Sequence, residues 1–279
     1  MMSAHLGRMS VMQTLTTNKP QTRIQTHSNM LFLSLAYLSL IAAWLPLLAH
    51  ATPHPKPSPR RNIAGVSVID TPIVRAAQQF ARDHSDDRLY NHVMRAWLFG
   101  TLLLAHNETL RASVDEEVQA VGLMLHDLGA NHSLDSPFVT LDRRFEVDGA
   151  FAARGFIRSH RDGRHWDDRR VQLVWDGIAL HAEPKFALFK EPDVVAIYWG
   201  NDLDFSGPAH GVTDAEYAAV VAEFPKPVNQ TEMVIEGITW YCRHKPLSTQ
   251  DTFMQPYGEM FVPGYSAVGH RAIDGALGR

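Results

Sequence analysis

The chain has little of several features that would assign it to a common class of protein. It contains a single cysteine in 279 residues, which excludes an intrachain disulfide framework. Its formal net charge of −4 gives no positive field that would attract nucleic acid. Alternating runs of β-branched residues are scarce, and the longest is Val66-Ser67-Val68-Ile69. We therefore expect no nucleic-acid partner and only a minor contribution from strands.

Helical periodicity is what the sequence has instead. Apolar residues make up 45% of the chain, enough to bury the core of one domain. They recur at helical spacing in residues 89–103, 116–128, 146–159, 168–182, 193–203, 213–224 and 231–244. The pattern predicts an all-α fold, a single helical bundle over residues 62–279, with Cys242 as a buried thiol on the final helix.

The N-terminal region differs from the rest of the chain. Residues 31–49 are uncharged and rich in Leu and Ala, and Ala49-His50-Ala51 follows as a small-x-small cleavage signature. Residues 1–51 are therefore predicted to be a signal peptide, which places the protein outside the cytoplasm. The alternative is a membrane anchor formed by residues 31–49, because this run approaches the ~20 residues that span a bilayer. A start at Met30 is a third possibility.

Alternating prolines follow the leader in residues 52–61, Thr-Pro-His-Pro-Lys-Pro-Ser-Pro-Arg-Arg. Proline at this spacing forbids helix and favours an extended conformation. We assign residues 52–61 to a spacer between the leader and the domain.

Three separated positions carry side chains that bind divalent metals: His92, the pair His126-Asp127, and Asp204. Imidazole nitrogen and carboxylate oxygen are the ligands that zinc, iron and manganese accept. Two of each would leave coordination positions open for water, as a catalytic site requires.

The pair His126-Asp127 stands at the end of a predicted helix. Ser113 and Glu116 have the spacing of a capping box, and Gly129 is suited to end the helix. The pair would then occupy the last turn, where neighbouring side chains can converge. A lone His-Asp dipeptide is a weak motif with a high false-positive rate.

A longer pattern strengthens the metal interpretation. It comprises Asn91-His92, His126-Asp127-Leu128-Gly129, Arg144-Phe145-Glu146-Val147-Asp148-Gly149-Ala150, Trp175-Asp176-Gly177-Ile178-Ala179-Leu180-His181 and Gly200-Asn201-Asp202-Leu203-Asp204-Phe205-Ser206-Gly207. In order and spacing, these segments resemble the cyanamide hydratase-like branch of the HD-domain superfamily.

The resemblance implies an all-α HD domain in which His92, His126, Asp127 and Asp204 bind one divalent ion, zinc first, with iron or manganese as alternatives. Asp204 is preferred to Asp202 because the family ends this segment with an aspartate, two small or apolar residues and a glycine. A metal-dependent hydratase or hydrolase is the implied enzyme class. Its substrate would be a small nitrile-like molecule such as cyanamide, attacked by a metal-bound hydroxide.

Two further residues are candidates for catalysis. His181 could transfer a proton or contact the substrate, and Glu146 is a weaker candidate for the same role. The competing interpretation of Glu146 is a carboxylate that the helix dipole favours near a helix N-terminus. A homo-oligomer stays possible.

Two other functions stay open. The first is phosphohydrolysis of a nucleotide or phosphate ester, for which Arg143-Arg144 or Arg169-Arg170 could contact phosphate. The motif of the cyclic-dinucleotide branch continues with Lys where this chain has Ala130, and no Gly-rich phosphate loop flanks the motifs. The second is a non-catalytic, exported metal-binding protein. A pocket lined by apolar side chains would favour the nitrile-like substrate, and convergent Arg and Lys would favour phosphate.

Three tripeptides, beginning at Asn107, Asn131 and Asn229, fit the N-glycosylation acceptor pattern. The pattern matters only in a eukaryotic secretory route. A glycan at Asn131 is not expected, because this residue lies close to the proposed pocket.

Overall fold

The computed structural model describes residues 58–278. The predicted signal peptide or anchor at residues 1–51, and most of the spacer, lie outside the described residues. Within residues 58–278, no helix combines the length and the apolarity needed to cross a membrane.

Helices dominate the described part of the chain, which confirms the all-α prediction at the level of fold class. In chain order they are α1 (Pro72–Asp83), α2 (Asp87–His106), α3 (Glu108–Arg111), α4 (Glu116–Leu125), α5 (Phe145–Ser159), α6 (Asp168–Leu180), α7 (Pro184–Ala187), α8 (Pro192–Ser206), α9 (Asp214–Glu223), α10 (Gln230–His244), α11 (Gln255–Phe261) and α12 (Ala272–Ala276). Short 3₁₀ turns occupy Leu128–Ala130, Gly163–His165 and Pro246–Ser248. Cys242 is a buried free thiol on α10, as predicted, but α10 is not the final helix because α11 and α12 follow it.

A two-stranded antiparallel hairpin precedes the helices. It pairs β1 (Arg60–Ile63) with β2 (Val66–Ile69). The two turn residues, Ala64 and Gly65, have φ of 51° and 84°, as a tight hairpin turn with left-handed residues requires. The first strand therefore begins at Arg60, two residues before the start that the sequence predicted for the domain. The proline alternation ends at Pro59, and from Arg60 onward every residue of β1 is free to pair with β2.

The core is built around α2. Its residues from His92 to Leu104 are all buried, as are those of α4 from Val118 to Leu125. A helix that is buried on all faces must be covered on all faces. The helix α8 packs along α2, and α4 contacts α2, α6 and α8. The middle of the bundle therefore brings together segments that are far apart in sequence.

The helix α4 differs from its prediction at both ends. It begins after Asp115, whose carboxylate accepts hydrogen bonds from the backbone N–H groups of Glu117 (3.0 Å) and Val118 (3.2 Å), so Ser113 is not the cap. It ends at Leu125, with His126 as the first residue beyond it.

Gly129 does not end α4 but lies in the following 3₁₀ turn, which packs tightly on the start of α5. A Cβ atom at Gly129 would overlap the carbonyl oxygen of Phe145 and lie 2.8 Å from the backbone nitrogen of Gly149. Close backbone packing therefore requires glycine here, and it holds the segment after His126 against α5.

Candidate metal centre

Three imidazoles and one carboxylate meet at the middle of the bundle. His92, His126 and Asp127 offer ligand atoms within 4.8 Å of one another. The Nε2 atoms of His92 and His126 are 3.1 Å apart, and Asp127 Oδ2 lies 3.4 Å and 3.5 Å from them. The other oxygen, Asp127 Oδ1, lies 3.5 Å from His181 Nε2. The carboxylate of Asp127 thus joins His181 to the tighter group of three.

His126 and His181 reach this point through the same local device. Each directly follows a helix, and its Nδ1–H donates to the carbonyl three residues earlier, Leu123 or Ile178, at 2.7 Å in both cases. These carbonyls belong to the last turns of α4 and α6, where helices leave acceptors without intrahelical donors. Because the Nδ1 proton is used there, the lone pair of each imidazole is on Nε2 and faces Asp127.

His92 is oriented by a carboxylate instead. Its Nδ1–H donates to Asp204 Oδ2 at 2.7 Å. Arg95, one turn further along α2, holds the same carboxylate with two hydrogen bonds, from Nε to Oδ1 (2.7 Å) and from Nη2 to Oδ2 (2.8 Å). A carboxylate behind a ligating histidine fixes its tautomer and ring orientation. The lone pair of His92 is consequently on Nε2, toward His126.

The pKa values of His126 and Asp127 keep both side chains deprotonated and able to donate electron pairs to a metal. Burial lowers the pKa of His126 to about 3, so this imidazole is neutral at physiological pH. Burial acts to raise the pKa of Asp127, but the surrounding histidines, His126 foremost, bring it below its usual value.

Asp127 Oδ1 points to the same conclusion. It is buried and has no hydrogen-bond partner among the described residues, which is costly for a carboxylate oxygen. A divalent cation would satisfy this oxygen and the facing Nε2 atoms together. The donor set of nitrogen and oxygen atoms fits zinc.

Asp204 lies beside His92, on the side of its ring opposite His126. It contacts the Nδ1 side of His92, opposite the nitrogen that faces His126, and both its oxygens bind Arg95. The pKa of Asp204 is low: burial acts to raise it, and the hydrogen bonds from Arg95 and His92 outweigh burial. Direct ligation of a metal by Asp204 stays a prediction from the sequence, and in this arrangement Arg95 occupies both oxygens of the carboxylate. Asp202 contacts Tyr198 and Ser206 instead.

Glu146 lies in a buried ion pair. It is fully buried and paired with Arg144, which extends to Glu183 at 2.6 Å. It does not line the cavity beside the metal centre. A catalytic role for Glu146 stays a prediction, and in this arrangement its carboxylate is paired with Arg144.

A cavity of about 370 Å³ opens onto His92, Asp127 and His181. Its other walls are mainly apolar and aromatic: Leu89, Phe145, Phe205, Met233, Val234 and Ile238. Among the described residues that line it, Arg88 is the only Lys or Arg. It lies at the exposed start of α2, with Asp86 3.9 Å away.

Tyr241 is a residue of the cavity that the sequence did not single out. It is 3% exposed, and its hydroxyl is buried without a hydrogen-bond partner among the described residues. Its ring stacks on Phe145 at 5.2 Å between centroids. Burial, followed by the negative charge of Asp127, raises the pKa of Tyr241 well above its usual value. The hydroxyl therefore stays protonated and is free to donate.

No protein-family model and no curated protein matches this chain. The HD-domain resemblance consequently stays a prediction, and the arrangement of the residues carries the functional argument.

Proposed function

We propose that the protein is a metal-dependent enzyme that hydrates a nitrile-like group. One observation carries this proposal: His92, His126 and Asp127 bring ligand atoms within 4.8 Å of one another at the wall of a largely apolar cavity, and His181 Nε2 lies 3.5 Å from the other oxygen of Asp127. Zinc suits these ligands best, and iron or manganese are the alternatives.

The residues have separate tasks in this reaction. A bound divalent ion supplies Lewis acidity and lowers the pKa of water. Asp204 and Arg95 hold His92 in the tautomer that presents Nε2. Hydration joins the oxygen of water to the nitrile carbon and leaves both water protons on nitrogen after tautomerisation to the amide. Tyr241 has a free hydroxyl that can donate a hydrogen bond to that nitrogen as its charge increases.

Phosphate-ester hydrolysis fits the cavity less well. A phosphate group needs convergent positive charge, but Arg88 is the sole Arg or Lys among the described lining residues. Three of the four arginines that the sequence offered for phosphate are engaged elsewhere: Arg143 binds Asp148 at 2.9 Å, Arg144 binds Glu146 and Glu183, and Arg170 binds Asp115 and Glu117.

A purely structural metal site is also a poorer fit. Structural zinc sites are closed by protein ligands, whereas His92, Asp127 and His181 all border the cavity. A ligand that enters the cavity can therefore reach the metal centre.

The proposal is tested by measuring metal content and turnover on the same purified protein. The substrates are cyanamide, alkyl and aryl nitriles, isonitriles and phosphate monoesters. We expect about one bound ion per chain and amide formation from at least one nitrile-type substrate. Asp127→Asn should lose both, and Asp135→Asn, in an exposed loop, should lose neither. Turnover of phosphate monoesters alone would contradict the proposal.

A further inference from the structure

The cavity is much larger than a three-atom nitrile head requires. Liquid water occupies ~30 Å³ per molecule, so about 370 Å³ would hold roughly a dozen water molecules. Cyanamide would fill a minor part of this space. The remaining water would lie against apolar walls, which is unfavourable. Cavities of ~300–1,000 Å³ are of the size that encloses drug-sized ligands.

The apolar walls begin directly beside the metal centre. The ring of Phe205 lies 5.2 Å from that of His92, and the ring of Phe145 lies 5.7 Å from that of His181. A group held at the centre would therefore have aromatic side chains next to both His92 and His181.

The third wall is one face of α10. Met233, Val234, Gly237, Ile238 and Tyr241 recur at helical spacing and line the cavity. Among the described residues, the main hydrophobic core cluster includes no side chain of α10. The apolar face of this helix is thus turned to the cavity and is not used to hold the core together.

We infer that the substrate carries an apolar alkyl or aryl body of several carbon atoms, which packs between Phe145, Phe205 and the α10 face while its nitrile-like group meets the metal centre. This inference rests on the proposed function for the polar end alone. Binding of the body depends on the walls and not on the ion, so it is measurable without turnover.

The test uses a homologous series of linear nitriles, from propanenitrile to heptanenitrile, titrated into the zinc-loaded and the metal-free protein by calorimetry. Each methylene that enters the cavity should tighten binding roughly fourfold, in both forms of the protein. Affinity that does not change with chain length would overturn the inference.

Two substitutions on α10 locate the site. Ile238→Trp fills the cavity and should weaken heptanenitrile binding at least tenfold, with little effect on propanenitrile. Ile235→Trp is the matched control, because Ile235 is also half-buried but lines a neighbouring groove with Tyr257 and Phe261. If Ile235→Trp removes the chain-length dependence and Ile238→Trp does not, the nitrile body binds in that groove and the inference is wrong.

The outcome is separable from that of the proposed function. Chain-length dependence without any amide product would retain the cavity as an apolar binding site and reject the hydratase. Amide formation from cyanamide, combined with affinities that ignore chain length, would retain the hydratase and reject the apolar body.

Discussion

Asp204 Oδ2 lies 2.7 Å from Nδ1 of His92, on the side of the ring away from the metal centre, while Arg95 holds both oxygens of the same carboxylate. The side chains of Arg95 and Asp204 are 1% and 0% exposed. A buried charge pair of this kind is expensive to break, since removal of one partner leaves the other charge without compensation.

Loss of the Asp204 carboxylate should therefore lower the stability of the protein even when no metal is bound. Asp204→Ala should destabilise the metal-free protein by ~3–5 kcal/mol, because it leaves the charge of Arg95 buried and unpaired. Asp204→Asn keeps the shape and should fold, with metal affinity reduced ~10–100-fold through the altered hydrogen bond to His92. Urea unfolding and metal titration measure the two effects.

Asp202→Ala is the control for both, because Asp202 is only half-buried and contacts Tyr198 and Ser206. It should change neither quantity by more than a small amount. A stable Asp204→Ala protein that has simply lost its metal would instead support direct ligation by Asp204.

His181 should behave as a ligand. His181→Ala should lower metal content, because its Nε2 is directed at Asp127 while its Nδ1 proton is held by Ile178. His132→Ala is the matched control: His132 lines the same cavity and stacks on Trp240 at 5.2 Å, but it is not part of the cluster of ligand atoms formed by His92, His126 and Asp127. Metal analysis after dialysis compares the two. If His181→Ala keeps its full metal content but loses turnover, His181 is not a ligand and acts as a proton donor instead.

The sequence identified His92, His126 and Asp127 because spacing and residue type are visible along the chain. It also selected Asp204, but it could not reveal that Arg95 would occupy both carboxylate oxygens across two helices. An arginine inside the otherwise uncharged stretch from Val93 to Leu104 was the available signal, since a buried guanidinium requires a buried partner.

Other features depend on packing that no local pattern encodes. The hairpin at Arg60 forms because a partner strand follows two residues later, although a single short strand has little signal of its own. The apolar face of α10 was visible as a helix pattern, yet periodicity cannot distinguish a face that packs on the core from one that lines a cavity.

Acid should destabilise the metal-free protein within a defined range of pH. His126 has a pKa of about 3 in the folded state and ~6.5 when unfolded. Between these values the unfolded chain takes up a proton that folded His126 does not, so stability falls as the pH is lowered from ~6.5 toward 3. Burial also lowers the pKa of His132, so His132 contributes to the loss of stability in acid. Urea midpoints at pH 7 and pH 5 measure the effect.

His126→Asn provides the comparison for this pH dependence. It removes the main titrating group, so its urea midpoint should change less between pH 7 and pH 5 than that of the wild type. An equal change in both proteins would show that His126 is not the source.

Tyr241→Phe should separate function from stability. The substitution keeps the ring stacked on Phe145 and removes a buried hydroxyl without a partner among the described residues, so the melting temperature should not fall. Turnover should fall ~10–100-fold if the hydroxyl donates to the substrate. Tyr90→Phe is the control, because Tyr90 accepts a hydrogen bond from Gln78 at 3.0 Å and should lose ~0.5–1.5 kcal/mol of stability without loss of turnover.

The turn that carries Asp127 should be intolerant of even one methyl group. Gly129→Ala would place a Cβ against the carbonyl oxygen of Phe145 and 2.8 Å from the nitrogen of Gly149, and backbone atoms cannot move aside as a flexible side chain can. We expect a destabilisation of ~1–3 kcal/mol together with weaker metal binding, because the residues after His126 must shift. Gly155→Ala, within α5, meets nothing within 4 Å and should stabilise the protein by ~0.5–1 kcal/mol. Thermal unfolding with metal titration on both variants decides the matter, and a Gly129→Ala protein with native stability and affinity would show that the close packing on α5 does not position the metal centre.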